Sequence, residues 1–116
     1  ESTLTARILR YARQCGCFAV KWHMTVYGSG SMPDVYILVP AEPHAIPVHI
    51  EVKTPGNTPT PRQSKALRDL RKSHAVAFWT DSTHDVVRVL GALQKENGCV
   101  FEYEKNGRLR WGHGSV

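Results

Sequence analysis

The sequence contains no long apolar run, no paired cysteine motif and no low-complexity tract. A transmembrane helix needs about 20 consecutive apolar residues, and no segment of the chain is that apolar. The cysteines Cys15, Cys17 and Cys99 form no Cys-x-x-Cys pair, which argues against a zinc ribbon and a disulfide framework. The six histidines show no paired spacing typical of zinc. We therefore expect an intracellular protein, cytoplasmic or in a eukaryote nuclear, with no signal peptide, membrane span or organic cofactor.

The composition is that of an ordinary globular protein with an excess of positive charge. Hydrophobic residues make up 41% of the chain and charged residues 22%, which is outside the range of disordered sequences. Since domains cluster at about 100 to 150 residues, we expect residues 1–116 to form a single domain. The net charge of +5 favours a polyanionic partner, although many basic proteins bind none.

The most informative pattern lies in residues 48–53, where apolar side chains alternate with His49, Glu51 and Lys53. Strict alternation predicts a strand with one apolar and one ionisable face, because residues two apart in a strand share a face. Glu51 and Lys53 are therefore expected to point the same way. A solvated strand face is the alternative interpretation of this pair.

An earlier segment, residues 33–39, begins with Pro33-Asp34 and continues as an uninterrupted apolar run. Such a run predicts a strand that is buried on both faces. An acid at its start has two interpretations: a functional carboxylate beside the next strand, or an ordinary turn residue.

Periodicity and turn residues predict an α/β fold. We predict a helix over residues 2–15 with an apolar stripe, followed by strands over 17–26, 33–39 and 48–53. A helix over 60–73 and a strand over 75–80 come next. The chain then forms a helix from the Ser82 capping box to Gly98 and a hairpin around Asn106-Gly107. The stripe of the first helix comprises Leu4, Ile8, Tyr11 and Cys15, and that of the last helix comprises Val86, Val89, Leu90 and Leu93. The sheet is expected to be mixed and flanked by helices, with an antiparallel meander of three strands and a parallel fourth strand, in the order α-β-β-β-α-β-α-(β-β).

The second predicted helix begins with a capping box, Thr60-Pro61-Arg62-Gln63. The capping box by itself explains the glutamine. The remaining surface of this helix is strongly cationic and is most often only a solvated face. Its cations are Arg62, Lys65, Arg68, Arg71 and Lys72.

Pro33-Asp34, followed by Glu51-Val52-Lys53 on the next strand and Gln63 at the next helix start, resembles the PD-(D/E)xK nuclease superfamily. With Glu1 opening the first helix and a glycine-bearing loop before Pro33, the chain is similar to the VRR-NUC family, the virus-type replication-repair nucleases. The resemblance covers residues 1 to about 89. It implies a restriction-endonuclease-like fold and a metal-dependent DNA endonuclease.

The resemblance also implies roles for individual residues. The catalytic residues are Asp34, Glu51, Lys53 and Gln63, and the metal ligands are Asp34, Glu51, the backbone carbonyl of Val52 and Glu1. Carboxylate and carbonyl oxygens suit Mg²⁺ or Mn²⁺, and a divalent ion supports phosphodiester cleavage. Lys53 would orient the attacking water or stabilise charge in the transition state. Glu1 is equally well an ordinary terminal acid. His49 is a candidate to contact DNA or tune the site, or it has only a structural role.

The expected partner is DNA. Arg62, Lys65, Arg68 and Lys72 are the candidates for phosphate contacts. Members of the family that stand alone at this length resemble Holliday-junction resolvases and act as homodimers, which implies branched DNA and a role in DNA repair. Two other functions stay open: a flap or end-processing nuclease domain of a larger repair protein, as in the Fanconi-anaemia-associated member of the family, and a DNA-binding module without turnover.

Overall fold

The computed structural model describes residues 2–22, 32–95 and 100–111. Its elements are α1 (Ser2–Gln14), β1 (Phe18–Lys21), β2 (Val35–Val39), β3 (Ile46–Val52), α2 (Pro61–Lys72), β4 (Val76–Thr80), α3 (Thr83–Lys95), β5 (Glu102–Tyr103) and β6 (Leu109–Arg110). Their order agrees with the predicted order. Glu1, residues 23–31 and residues 96–99 lie outside the described ranges, so the predictions made for them are not addressed.

Four strands form one mixed sheet in the order β1-β2-β3-β4. The pairs β1–β2 and β2–β3 are antiparallel, and β3–β4 is parallel. The predicted meander and the parallel fourth strand are both confirmed. Strands β5 and β6 pair with each other in a separate two-stranded sheet.

The main core lies between one face of the sheet and the helices α1 and α3. The four predicted apolar residues of α3 are all buried. On α1 the buried face is rotated from the predicted stripe: Thr5, Ile8 and Ala12 are buried, whereas Tyr11 and Cys15 are half-buried. Thr5 is polar and Ala12 is small, so an apolar pattern alone does not reveal this buried face. No helix in the described ranges is long and apolar enough to cross a bilayer.

Helix α2 packs against the opposite face of the sheet, over β3 and β4. Leu67 is buried against Ala77 and Trp79 of β4. Strand β4 is therefore buried on both faces. The prediction that β2 is buried on both faces is wrong, because α2 lies over β3 and β4 and leaves Tyr36 and Leu38 half-buried.

The two predicted capping boxes have different outcomes. At α2 the box is complete: Thr60 Oγ1 accepts from the Gln63 amide at 3.2 Å, and Gln63 Oε1 accepts from the Thr60 amide at 2.9 Å. At α3, Ser82 Oγ accepts from the His84 amide, but the Ser82 amide donates to the hydroxyl of Thr80. The reciprocal half of the α3 box was therefore predicted wrongly, since a nearby hydroxyl takes the place of the acid.

The terminal hairpin has a three-residue loop, not the predicted two-residue Asn-Gly turn. The Gly107 amide donates to the Glu104 carbonyl at 2.9 Å, and Gly107 has a φ of +93°. A two-residue type I′ turn would need a positive φ at Asn106 as well, but among described non-glycine residues only His74 has one. The longer loop lets the Asn106 carbonyl accept a hydrogen bond from the Trp79 indole at 2.9 Å.

Candidate active site

The end of the β2–β3 ladder brings Asp34 to β3. The last backbone pair is Val35 with Ile50, and β3 continues for two further residues. The Val52 amide donates to Asp34 Oδ2 at 3.1 Å. The carboxylate therefore continues the ladder in place of the backbone.

The proline before Asp34 has a structural consequence for Val52. Extending the ladder by two residues places Pro33 opposite Val52, and proline has no N–H to donate. In a strand, the N–H and C=O of one residue leave on the same edge. The Val52 carbonyl therefore faces the same side as the Asp34 carboxylate. Pro33 has no N–H with which to donate a hydrogen bond to this carbonyl. The Pro-Asp pair thus places two oxygen donors at one end of the sheet.

Glu51 lies on the face of β3 that α2 covers, and it is only 3% exposed. Its Oε2 accepts a hydrogen bond from Gln63 Nε2 at 3.2 Å and lies 3.8 Å from Lys53 Nζ. Burying a carboxylate costs free energy unless it is paired and hydrogen-bonded. The interpretation of Glu51 and Lys53 as a solvated face is therefore wrong for Glu51, which is buried and contacts Gln63 and Lys53.

Gln63 joins the start of α2 to this carboxylate. Its Oε1 accepts from the Thr60 amide, as the capping box requires, while its Nε2 donates to Glu51. One side-chain amide can do both because it carries an acceptor oxygen and a separate donor nitrogen. Capping alone therefore does not account for Gln63, which also fixes the orientation of Glu51.

Lys53 is anchored by its backbone and extends its ammonium toward Glu51. The Lys53 amide donates to the Thr80 carbonyl at 2.9 Å, which continues the parallel pairing beyond β3. The 3.8 Å contact with Glu51 is an ion pair longer than a hydrogen bond. The side chain is 15% exposed, so the ammonium is restrained within the site.

The three strands beside the site also carry a row of rings. His49 lies two residues before Glu51, and its ring centroid is 5.0 Å from that of Tyr36 on β2. Burial lowers the pKa of His49, which favours the neutral imidazole. The contact with Tyr36 holds the His49 ring on the same face of the sheet as Glu51.

The donor atoms fit a hard divalent cation. Within the described part of the chain, no group of three His, Cys, Asp or Glu side chains could hold a metal ion. Mg²⁺ is commonly bound by only one or two carboxylates and keeps several waters. Asp34 and Glu51, with the Val52 carbonyl as a third oxygen, are of the type that such an ion requires. Glu1 lies outside the described residues, and its contribution stays a prediction.

The predicted phosphate contacts on α2 differ in their relation to the site. Arg62 precedes Gln63 in the first turn, whereas Lys72 lies ten residues after Arg62, about 15 Å further along the helix axis. At 100° per residue, Lys65 and Lys72 lie on the side of α2 opposite Leu67. Lys65 also forms an exposed ion pair with Asp69 at 2.7 Å.

Arg71 has a different, structural role on the same helix. Its guanidinium donates to the Ala77 carbonyl at 2.9 Å and lies 4.6 Å from the centroid of the Tyr103 ring. These contacts tie α2 to β4 and to the hairpin.

Sequence patterns did not identify a polar cluster that supports the site from β4. Arg108 of the hairpin pairs with Asp81 at 2.9 Å and with Asp85 at 3.4 Å. Asp85 also accepts from the Thr80 hydroxyl at 2.7 Å. The cluster fixes the hairpin beside Thr80, whose carbonyl holds Lys53. Its members lie far apart in sequence, and only the folded hairpin brings them together.

No family model and no curated protein sequence matches the chain. A solved structure described as "VRR_NUC domain" is similar to it, with a TM-score of 0.55 and 22% sequence identity. The likeness covers 78% of this chain and 94% of that one. The chain has the VRR_NUC fold. The fold-level resemblance inferred from the Pro33-Asp34 and Glu51-Val52-Lys53 segments is therefore confirmed, and the VRR_NUC fold accounts for the mixed sheet with helices on both faces.

Proposed function

We propose that the chain is a metal-dependent endonuclease that hydrolyses phosphodiester bonds of DNA. The observation that carries the proposal is the convergence of four predicted residues at one end of the sheet: Asp34 on the Val52 amide, and Glu51 between Gln63 and Lys53. The VRR_NUC fold and the net charge of +5 support it.

Each residue has a distinct chemical task in this proposal. Asp34, Glu51 and the Val52 carbonyl hold Mg²⁺ or Mn²⁺, which when bound supplies charge neutralisation at the phosphate and activation of water. Lys53 donates to the attacking water and offsets negative charge that develops in the transition state. Gln63 keeps the Glu51 carboxylate in one orientation, because its amide is itself fixed by the capping box.

The proposed substrate is branched DNA such as a Holliday junction, cut by a homodimer during DNA repair inside the cell. A chain of 116 residues offers little surface for gripping DNA, since specific protein–DNA interfaces bury about 1,000 to 2,500 Å² of protein surface. A two-fold dimer doubles that surface and matches the two symmetric cuts that resolve a four-way junction. Arg62 directly precedes Gln63 in sequence and would contact a phosphate near the site, and Lys65, Arg68 and Lys72 would contact more distant phosphates.

A panel of four-way, flap, nicked and single-stranded DNA, each with and without Mg²⁺ or Mn²⁺, tests the proposal. We expect metal-dependent cleavage with a preference for the four-way junction. A preference for flaps would assign the end-processing function instead. Absence of cleavage of every substrate with either metal would leave a DNA-binding module.

Two variants test the residue roles. Glu51→Gln and Lys53→Ala should abolish cleavage while leaving the fold and most DNA affinity intact. Glu42→Gln is the matched control, because Glu42 is an exposed acid in the turn between β2 and β3. Cleavage by either site variant within tenfold of the wild type would overturn the assigned roles.

A further inference from the structure

Three rings, one directly after β1 and one each on β2 and β3, form a continuous row next to the candidate active site. The ring centroids of Trp22 and Tyr36 are 5.9 Å apart, and those of Tyr36 and His49 are 5.0 Å apart. Tyr36 is the cross-strand partner of His49, so both rings stand on the same face of the sheet. We name Trp22, Tyr36 and His49 the aromatic row.

The aromatic row shares its face with the candidate catalytic residues. His49 and Glu51 are two residues apart on β3, so their side chains point to the same face. Two strand residues span about 7 Å, which is close to the rise of two nucleotides in a DNA strand. A nucleotide on the row would therefore lie within two nucleotides of a phosphate beside Glu51.

This part of the face is accessible from solvent. Helix α2 covers the face over β3 and β4, whereas Val20, Tyr36 and Leu38 are half-buried and Phe18 is 57% exposed. The side chains that accompany the row on β1 and β2 are uncharged. An uncharged, partly exposed surface suits the flat face of a base, and a phosphate would require a cation.

We propose that the aromatic row binds an unpaired nucleotide of the DNA substrate by stacking, next to the phosphate that is cut. This inference rests on the proposed nuclease function and adds to its substrate class: branched DNA in which the nucleotide at the cleavage position is unpaired when the protein is bound. Aromatic side chains stack on every base, so the preference is for structure and not for sequence. A base paired within a duplex is stacked on its neighbours and cannot occupy the row.

The size of the surface also favours a nucleotide over a second copy of the chain. A stable protein interface buries about 800 Å² on each partner. The aromatic row consists of three rings, and its neighbours on β1 and β2 are mostly half-buried. An area of this kind matches one or two bases, and it is continuous with the candidate active site.

The test measures DNA binding without cleavage, in the Glu51→Gln background, by fluorescence anisotropy. Its probes are a short oligothymidylate and a fully paired hairpin duplex. Adding Tyr36→Ala should weaken oligothymidylate binding about 5- to 150-fold, the loss typical of removing one stacking ring. Binding of the duplex should change less than about twofold. Tyr36→Phe should retain wild-type affinity, since it keeps the ring.

Leu38→Ala is the matched control. Leu38 lies on the same strand and the same face but further from Glu51, and its loss should leave oligothymidylate binding unchanged. If Tyr36→Ala prevents folding, Tyr36→Leu keeps the apolar bulk without the ring and should show the same loss. Far-UV circular dichroism confirms that each variant is folded.

Three results would overturn the inference. One is an equal effect of Tyr36→Ala on oligothymidylate and duplex, and another is no effect on either. The third is a Tyr36→Ala variant whose sedimentation mass changes while its oligothymidylate affinity does not. That result would make the face an interface between copies of the chain. If the wild-type protein cleaves DNA and any of these results is found, the nuclease function stands and the inference about the aromatic row is refuted. A wild-type protein that neither binds nor cleaves DNA removes both.

Discussion

The double role of Gln63 gives a prediction that separates helix capping from support of the active site. Gln63→Ala removes the bond from the Thr60 amide and the bond to Glu51. Thr60→Ala removes the other half of the same capping box and leaves the Glu51 contact in place. The two variants therefore share a capping defect and differ at the carboxylate.

The expected magnitudes follow from these contacts. Loss of the Thr60 cap costs about 1 kcal/mol of folding free energy. Gln63→Ala loses a bond of that kind and also a hydrogen bond to a buried carboxylate, which contributes about 1.5 to 3 kcal/mol. At about 4 °C per kcal/mol, Thr60→Ala should lower Tm by about 4 °C and Gln63→Ala by about 10 to 16 °C. Cleavage should fall about 10- to 100-fold in Gln63→Ala, as for residues that orient a metal ligand, and less than about threefold in Thr60→Ala.

The assays are thermal unfolding and single-turnover cleavage of branched DNA at a temperature where both variants are folded. A metal titration of the cleavage rate adds a readout that helix stability does not affect. Equal losses of cleavage in Thr60→Ala and Gln63→Ala would show that only α2 stability matters. Wild-type cleavage by Gln63→Ala would refute the positioning role outright.

Three further predictions concern charge, pH and the hairpin. Reversing the charges at Arg68 and Lys72 should weaken DNA binding and reduce the slope of log affinity against log salt by about 1 to 2, because each phosphate contact contributes about 0.9; an unchanged slope would return these residues to a solvated face. Burial lowers the pKa of His49 from 6.5, so the unfolded chain binds its proton more readily and stability should fall as the pH drops below about 6.5 toward the lowered pKa. In urea titrations at several pH values, the free energy of unfolding of His49→Gln should not show this decrease at low pH. Identical pH profiles for the variant and the wild type would contradict the prediction. Gly107→Ala and Gly56→Ala both place a side chain at a φ of +93° and should each cost about 1 to 2 kcal/mol. Gly107→Ala should cost more in chemical denaturation, because its Cβ would lie 3.4 Å from the indole beneath it whereas that of Gly56 meets open space; equal costs would show that this contact is unimportant.

Local patterns were sufficient to predict the elements and the arrangement of the sheet. Alternation in residues 48–53 placed His49 and Glu51 on one face, and the capping box defined the start of α2. Alternation and capping depend only on residues that are close in sequence, and both are found in the structure. The burial of β2 was predicted wrongly because its apolar run does not show which strands α2 covers. The position of α2 is decided by tertiary packing on Ala77 and Trp79.

The candidate site was predicted only in part, because local patterns do not show contacts between residues that are far apart in sequence. Motif spacing identified Asp34, Glu51 and Lys53, and the fold brings them to one end of the sheet. Their catalytic and metal-binding roles stay predictions. The support of Arg108 for this end of the sheet was missed, because it joins a hairpin to acids 27 and 23 positions away in sequence. A contact of this kind leaves no local pattern.

The central claim is that Asp34 and Glu51 hold a divalent cation with which this fold cuts DNA. The most direct measurement is the rate of branched-DNA cleavage as a function of Mg²⁺ or Mn²⁺ concentration, for the wild type and Asp34→Asn side by side. We predict a rate that saturates with metal in the wild type and is lost, or needs far higher metal concentrations, in Asp34→Asn. Cleavage that is independent of metal, or a metal dependence that Asp34→Asn leaves unchanged, would contradict the claim.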